Sequence, residues 1–249
     1  VPAAKCLTIT DLEPEPGKLY RLDGDKMSEL RAERGRAKVG PGGLWYGLLG
    51  DKLVSWNLKD EPKVLLAKAP GDRELSLNDN TVSSNGFVYF TTLKDPEKGR
   101  LTAVNLKSGV ATVCFDGVEH PDLSNPNGIA ASPDGKALFV VISNYKDRKR
   151  AGIYRFPIQE DGTLDVATGK KAKWASPAGP DGIAFGPDGN LYATDGNLVR
   201  AYDSDGKEVG KVAIPKDGGT NISFGGPDGR TMFVTTNKAL YAGRLEEKK

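Results

Sequence analysis

Asn127-Gly128-Ile129-Ala130-Ala131 and Asp181-Gly182-Ile183-Ala184-Phe185 are two copies of one phrase. Two more copies, Asn78-Asp79-Asn80-Thr81-Val82 and Asn221-Ile222-Ser223-Phe224, align with them without a gap. Each copy opens on Asn or Asp, and seven residues later each reaches an Asn-Gly or Asp-Gly pair: Asn85-Gly86, Asp134-Gly135, Asp188-Gly189 and Asp228-Gly229. Such pairs supply the positive φ angles of a tight hairpin turn, so the unit reads as strand, turn, strand. The second strands follow at Phe87-Val88-Tyr89-Phe90, Ala137-Leu138-Phe139-Val140-Val141, Leu191-Tyr192-Ala193 and Met232-Phe233-Val234. Further pairs, such as Leu101 to Val104 with Ala111 to Val113, bring the unit to four strands. The units start 49, 54 and 40 residues apart, the blade length of a β-propeller. A sandwich would not explain four copies of one register. Leu44 to Leu66 supplies most of another blade, and Leu7 to Leu30 the strands of a first that closes against Leu240-Tyr241-Ala242. The expectation is all-β: a six-bladed propeller of four-stranded blades, the first incomplete or divergent, in one domain spanning residues 1–249.

Composition agrees and excludes much else. The 249 residues include 31 Gly and 16 Pro, which suits many tight turns. Thirty-five Lys and Arg against 33 Asp and Glu leave a charge of +2, without the lopsided field that binding to nucleic acid or an anionic membrane needs. No apolar run approaches the roughly 18 residues of a membrane span, so the chain reads as soluble, in the cytoplasm or in a periplasmic or secreted setting. It opens on Val1 rather than Met and reads as processed or as a fragment. Cys6 and Cys114 stand too far apart for a CxxC or zinc spacing, which leaves a single disulfide between them open. His120 is the one histidine; it reads as a loop residue before Pro121, and most imidazole chemistry is thereby excluded. Gly206 to Gly210 with Lys211 falls short of a phosphate loop, since Val212 stands where a Ser or Thr is needed, and reads as a hairpin. Lys146-Asp147-Arg148-Lys149-Arg150 reads as a solvated loop.

In a propeller the first residue of each innermost strand sits at one mouth of the central channel. Asn78, Asn127, Asp181 and Asn221 hold that place, so three amides and one carboxylate face a common axis. An oxygen-rich set without sulfur or imidazole suits a hard cation such as Ca²⁺ or Mg²⁺; equally, these residues cap the turns entering each strand. Chain direction puts the loops Glu13-Pro14-Glu15-Pro16, Lys94-Asp95-Pro96-Glu97-Lys98 and Asn144 to Arg150 on the same face, where they would select what enters.

At these residues, from about Gly17 to Leu245, the sequence resembles the SMP-30/gluconolactonase/luciferin-regenerating family, six-bladed propellers with a divalent metal in the channel. The specific parts are Pro126-Asn127-Gly128-Ile129 with Ser132-Pro133-Asp134-Gly135, Pro180-Asp181-Gly182-Ile183, Thr220-Asn221 with Phe224-Gly225-Gly226-Pro227-Asp228-Gly229, and Leu77-Asn78-Asp79 followed by Tyr89-Phe90-Thr91. The resemblance implies that Asn127 and Asp181 are metal ligands and that Asp181 doubles as general base. It also implies that Asn78 holds substrate or a water on the metal; Asn221 is the further candidate for binding substrate. The implied reaction is hydrolysis of a sugar lactone: the cation polarises the carbonyl while the carboxylate takes a proton from water.

The sequence departs from the family in three places. Nothing here matches the family's Glu-Gly-Pro segment, whose glutamate is the remaining ligand; Glu13 and Glu15 are the candidate replacements. Arg36-Ala37-Lys38 stands where Ala-Asn-Gly is expected, and Thr92 where an aspartate usually follows. Since Ca²⁺ wants 6 to 8 oxygens, this set implies a weakly bound divalent cation, Ca²⁺ first, with Mg²⁺, Mn²⁺ or Zn²⁺ as alternatives. The leading expectation is a metal-dependent lactonase acting on a small lactone or ester. The rivals are a noncatalytic propeller that binds a small molecule or protein, and a phosphotriesterase-like hydrolase.

Overall fold

The structure, a computed structural model, describes residues 7–11, 18–23, 26–32, 35–40, 43–49, 52–68, 70, 77–93, 99–215 and 217–246. Neighbouring strands pair antiparallel in chain order, without crossovers, into six sheets. The first is β1 (Leu7–Asp11), β2 (Lys18–Asp23) and β3 (Lys26–Arg31). The second is β4 (Gly35–Val39), β5 (Trp45–Leu49), β6 (Lys52–Trp56) and β7 (Lys63–Leu66). Then come β8 (Asp79–Val82), β9 (Phe87–Thr92), β10 (Arg100–Asn105) and β11 (Ala111–Asp116), followed by β12 (Pro126–Ala131), β13 (Ala137–Ile142) and β14 (Gly152–Pro157). The last two are β15 (Pro180–Phe185), β16 (Leu191–Asp195), β17 (Leu198–Tyr202) and β18 (Glu208–Ala213), and β19 (Gly219–Gly225), β20 (Thr231–Thr236) and β21 (Leu240–Arg244).

The first strands β4, β8, β12, β15 and β19 stand side by side in that order, which is the arrangement of a propeller. Apolar layers fill the gaps between neighbouring blades. Leu53 meets Val88, Phe90 and Val104; Tyr89 and Leu101 meet Ile129, Leu138 and Phe156; Phe139, Val141 and Ile153 meet Ile183 and Leu191; Tyr192 and Val199 meet Ile222 and Val234. Strand alternation explains this: each blade offers one face to the blade before it and the other to the blade after, so both faces are apolar.

The expected six four-stranded blades are corrected to five blades, β4 to β21, with the β1–β3 sheet packed beside the first of them through β1 and β2. Among the described strands β21 pairs with β20 alone, so the β1–β3 sheet does not pair with Leu240-Tyr241-Ala242. The outer strand β21 has little apolar surface to bury, and Ala242, Gly243 and Arg244 are exposed. Nor is every blade four-stranded. After β14 the chain forms the single-turn helix α1 (Val166–Gly169), whose first turn is capped by the Asp165 carboxylate accepting from the Thr168 N–H, and only isolated bridges replace a fourth strand.

The repeat turns also differ from expectation. Gly86, Gly135, Gly189 and Gly229 take positive φ, but the Asn or Asp before each does not. Each of these glycine N–H groups donates to the carbonyl three residues back, while the Asp134, Asp188 and Asp228 carboxylates accept from the N–H two residues on. The pairs therefore build a type I-like turn closed by a left-handed glycine, with the acid as an Asx bond. Gly206 closes the β17–β18 turn with positive φ, as the hairpin reading of that segment expects.

Cys114 is a free thiol, pushed up to about 12 by burial; Cys6, Glu13, Glu15 and the loop 94–98 lie outside the described residues. No helix among the described residues is long and apolar enough to cross a membrane.

Leu138 is fully buried between two blades, whereas Val212 is 47 % exposed. Leu138→Ala should lower unfolding free energy in urea by about 2–5 kcal/mol, and Val212→Ala by less than about 0.5 kcal/mol.

Candidate functional site

The inner strands are irregular where the repeats begin. Register slips between Pro126 and Ile129 in β12, between Pro180 and Ile183 in β15, and between Gly219 and Asn221 in β19. A bulge re-aims the side chain it carries, here Asn127 and Asp181; in β19 the extra residue is Thr220, and Asn221 stays paired with Thr235. Threonine hydroxyls pin these bulges, those of Thr91 and Thr194 buried. Thr91 Oγ1 donates to the Asn127 carbonyl at 2.7 Å. Thr194 Oγ1 accepts from the Gly182 N–H at 3.0 Å, and Thr235 Oγ1 donates to the Asn221 carbonyl at 3.4 Å.

The glycine after Asn127 and after Asp181 follows from the spacing of the strands. A Cβ on Gly128 would run into the Asp181 carbonyl, and one on Gly182 into Asn221. The corresponding residue in β8 is Asp79, whose carboxylate instead accepts from the Ile129 N–H at 3.3 Å and so ties β8 to β12.

A cleft of about 190 Å³ opens here, lined by Asn127, Ser143, Tyr145, Arg148 and the Gly179–Pro180–Asp181 segment. Asn78 Nδ2 donates to Asn127 Oδ1 at 2.5 Å, and Asn127 Nδ2 donates to Ser143 Oγ at 3.3 Å. Of the four residues singled out in the sequence, Asn127 and Asp181 thus share the cleft, and Asn78 joins through its bond to Asn127. Asn221 lies against Gly182 and accepts from its neighbour's N–H, that of Ile222, at 2.8 Å; it does not line the cleft. The Asp181 segment is held from behind: the buried Asp195 carboxylate accepts from the Gly179 N–H at 2.7 Å and from Arg200 Nε at 2.6 Å, and Arg200 Nη1 also binds Glu208 at 2.7 Å. These two carboxylates raise the pKa of the Arg200 guanidinium.

Sequence reasoning placed the Asn144–Arg150 loop on this face but did not single out Ser143, Tyr145 or Arg148. The signal was the loop's length and charge; the contact itself depends on the fold. Thr92, one of the departures from the family pattern, is buried and its hydroxyl accepts from the Arg100 N–H at 3.1 Å.

Among the described lining residues, a cation here would meet oxygen donors. Asn127 Oδ1 keeps one lone pair beyond its bond from Asn78, and the Asp181 carboxylate and Ser143 Oγ complete the set. Among the described residues no three His, Cys, Asp or Glu side chains cluster. This chemistry fits a hard cation held by few protein groups, not a structural zinc.

The family model of the SMP-30/Gluconolactonase/LRE-like region matches residues 36–238. The gluconolactonase of Zymomonas mobilis is 31 % identical over 249 residues, covering 90 % of this chain and 64 % of that enzyme. The pentonolactonase XacC of Haloferax volcanii is 26 % identical over 169 residues, covering 66 % of this chain and 54 % of that enzyme. The chain thus spans about half to two thirds of the length of these two relatives. Among solved structures, the calcium-binding protein regucalcin from Agrobacterium tumefaciens superposes with a TM-score of 0.66 at 21 % identity, over 89 % of this chain and 75 % of that one.

Because Gly128 allows β12 and β15 to touch, Gly128→Ala should destabilise the fold by about 1–3 kcal/mol, read as a fall in the urea midpoint. Gly243→Ala, where a Cβ meets nothing, is the control and should leave the midpoint unchanged.

Proposed function

The chain belongs to the SMP-30/gluconolactonase/LRE-like family, and from that premise we propose that it hydrolyses a sugar lactone in the cleft between β12 and β15. The observation that carries this reading is that Asn127 and Asp181, which open adjacent inner strands, line one cleft, with Asn78 bonded to Asn127. The gluconolactonase and pentonolactonase relatives support the substrate class.

Asp181 is the general base. Its carboxylate takes a proton from water as the water oxygen bonds to the lactone carbonyl carbon. The tetrahedral adduct collapses with cleavage of the ring C–O bond, and the departing ring oxygen receives the proton back from Asp181. Lactone plus water gives one hydroxy acid, and Asp181 is restored. Asn78 orients the water or the substrate and fixes the Asn127 amide. Asn127 and Asp181 would hold a divalent cation, Ca²⁺ first, which when bound supplies Lewis-acid polarisation of the carbonyl and acidifies water. The calcium-binding neighbour supports a cation of this kind, and the small number of protein oxygens makes it weakly held.

Asp181→Asn should reduce kcat/KM for gluconolactone by about 10²- to 10⁴-fold, the range for loss of a general base, with its melting temperature unchanged. Wild-type turnover in that variant, measured by pH-stat titration, would remove the base assignment. Chelation should abolish hydrolysis, and added Ca²⁺ should restore it.

A further inference from the structure

We propose that Arg148, set over the Tyr145 ring at the cleft, reads a second anionic group on the substrate, so that the preferred lactone carries a carboxylate away from its ester. The inference rests on the lactonase reading of the same cleft and deepens it.

The basic stretch 146–150 treats its two arginines differently. Arg150 is occupied: its guanidinium lies 3.3 Å from the Asp147 carboxylate and 3.8 Å from that of Asp122. Arg148 lines the cleft beside Asn127 and Asp181. Its Cζ sits 5.6 Å from the centre of the Tyr145 ring, and among the described residues it forms no ion pair. A charged guanidinium that forms no ion pair among the described residues, at the edge of a reactive cleft, is a receptor for an oxyanion. Its planar fork matches the two oxygens of a carboxylate, and the aromatic face beneath leaves its outward N–H groups available.

The backbone that carries Arg148 is tethered on both sides. Asn144, at φ 30°, donates through Nδ2 to the Pro121 carbonyl at 3.1 Å and accepts at Oδ1 from the Asp147 N–H at 2.9 Å. Asp147 accepts from the Lys149 N–H at 3.1 Å. Lys173 Nζ donates to the Lys149 carbonyl at 2.9 Å, and the Tyr154 hydroxyl to the Arg150 carbonyl at 2.9 Å. A receptor arginine on a prefixed loop loses less freedom on binding than one on a free loop.

Charge within the cleft points the same way. Among the described residues its charged lining residues are Asp181 and Arg148. The carboxylate serves the water that attacks the ester, and the guanidinium is the lining group that can receive a further anion. At about 190 Å³ the cleft is smaller than a drug-sized pocket, so the anion belongs to a compact sugar acid. A lactone of an aldaric acid has this chemistry: one carboxyl closed as the ester, the other free.

The test compares D-glucarolactone, 6-phosphogluconolactone and neutral gluconolactone on wild type and Arg148→Gln. Wild type should prefer glucarolactone over the other two. Arg148→Gln should raise KM for glucarolactone about 10- to 100-fold, the loss expected for a charge-assisted bidentate contact. Its kcat should hold, neutral gluconolactone should stay within about twofold, and Arg148→Lys should recover part of the effect. An equal slowing of charged and neutral lactones would mean that Arg148 serves only the carboxylate that hydrolysis creates, and would overturn the proposal. Preference for the phosphorylated lactone would overturn its carboxylate assignment.

Calorimetry with D-glucarate, which has no ester to cleave, separates this proposal from the lactonase reading. If wild type opens no lactone but binds glucarate more tightly than Arg148→Gln does, the lactonase reading fails and the arginine assignment stands. If lactones are opened but glucarate binding and KM are the same in both proteins, the arginine assignment fails alone.

Discussion

The contact between the openings of β12 and β15 governs the rest of the site. Gly128 lies so close to the Asp181 backbone that no side chain fits between them, and Gly182 stands in the same relation to Asn221. Because these backbones touch, the polar residue that precedes each glycine is set at the edge of a shared cleft. The glycine is thus a demand of the neighbouring blade rather than of its own turn. Asp79 replaces it where β8 reaches β12 through a carboxylate instead.

Close approach alone would leave the bulges free to relax into regular ladder, with Asn127 or Asp181 rotated out of the cleft. Buried threonines prevent this: Thr91 and Thr194 are fully buried and spend their hydroxyls on bulge backbone. The Asp195–Arg200 pair adds a fixed point at Gly179. With its side chain 5 % exposed, the Asp195 carboxylate would be costly to bury unpaired, so the guanidinium and the Gly179 N–H are held to it and the segment leading into Asp181 has one place to be. Cleft geometry is therefore overdetermined by groups that never touch a substrate.

Much of this was legible in the sequence because it is periodic. Four copies of one register located β8, β12, β15 and β19 and the strand after each, and the chemistry at their first positions named Asn78, Asn127 and Asp181 before any fold was known. What the sequence hid is what periodicity does not encode. The number of strands per blade depends on edge segments with weak patterns, such as the residues after Pro157, and β21, which pairs with β20 alone among the described strands, carries too little apolar surface to signal its place. The dipeptide Asp-Gly names a turn but not its type, since the glycine alone takes the left-handed angle. Ser143, Tyr145 and Arg148 sit in a loop that no repeat shares, and their nearness to Asp181 is a product of two blades meeting.

The missing fourth strand of the β12–β14 blade is part of the same design. A regular outer strand beside β14 would occupy that edge and return the chain through a further turn. Instead the segment beyond α1 touches β14 at one bridge, Ile153 with Ala175. Two residues before that bridge Lys173 donates to the Lys149 and Ala151 carbonyls, and four residues after it Gly179 meets Asp195. One short stretch thus clamps the loop that presents Arg148 and then delivers the strand that presents Asp181. The irregular blade thus couples the backbone that carries Arg148 to the backbone that carries Asp181.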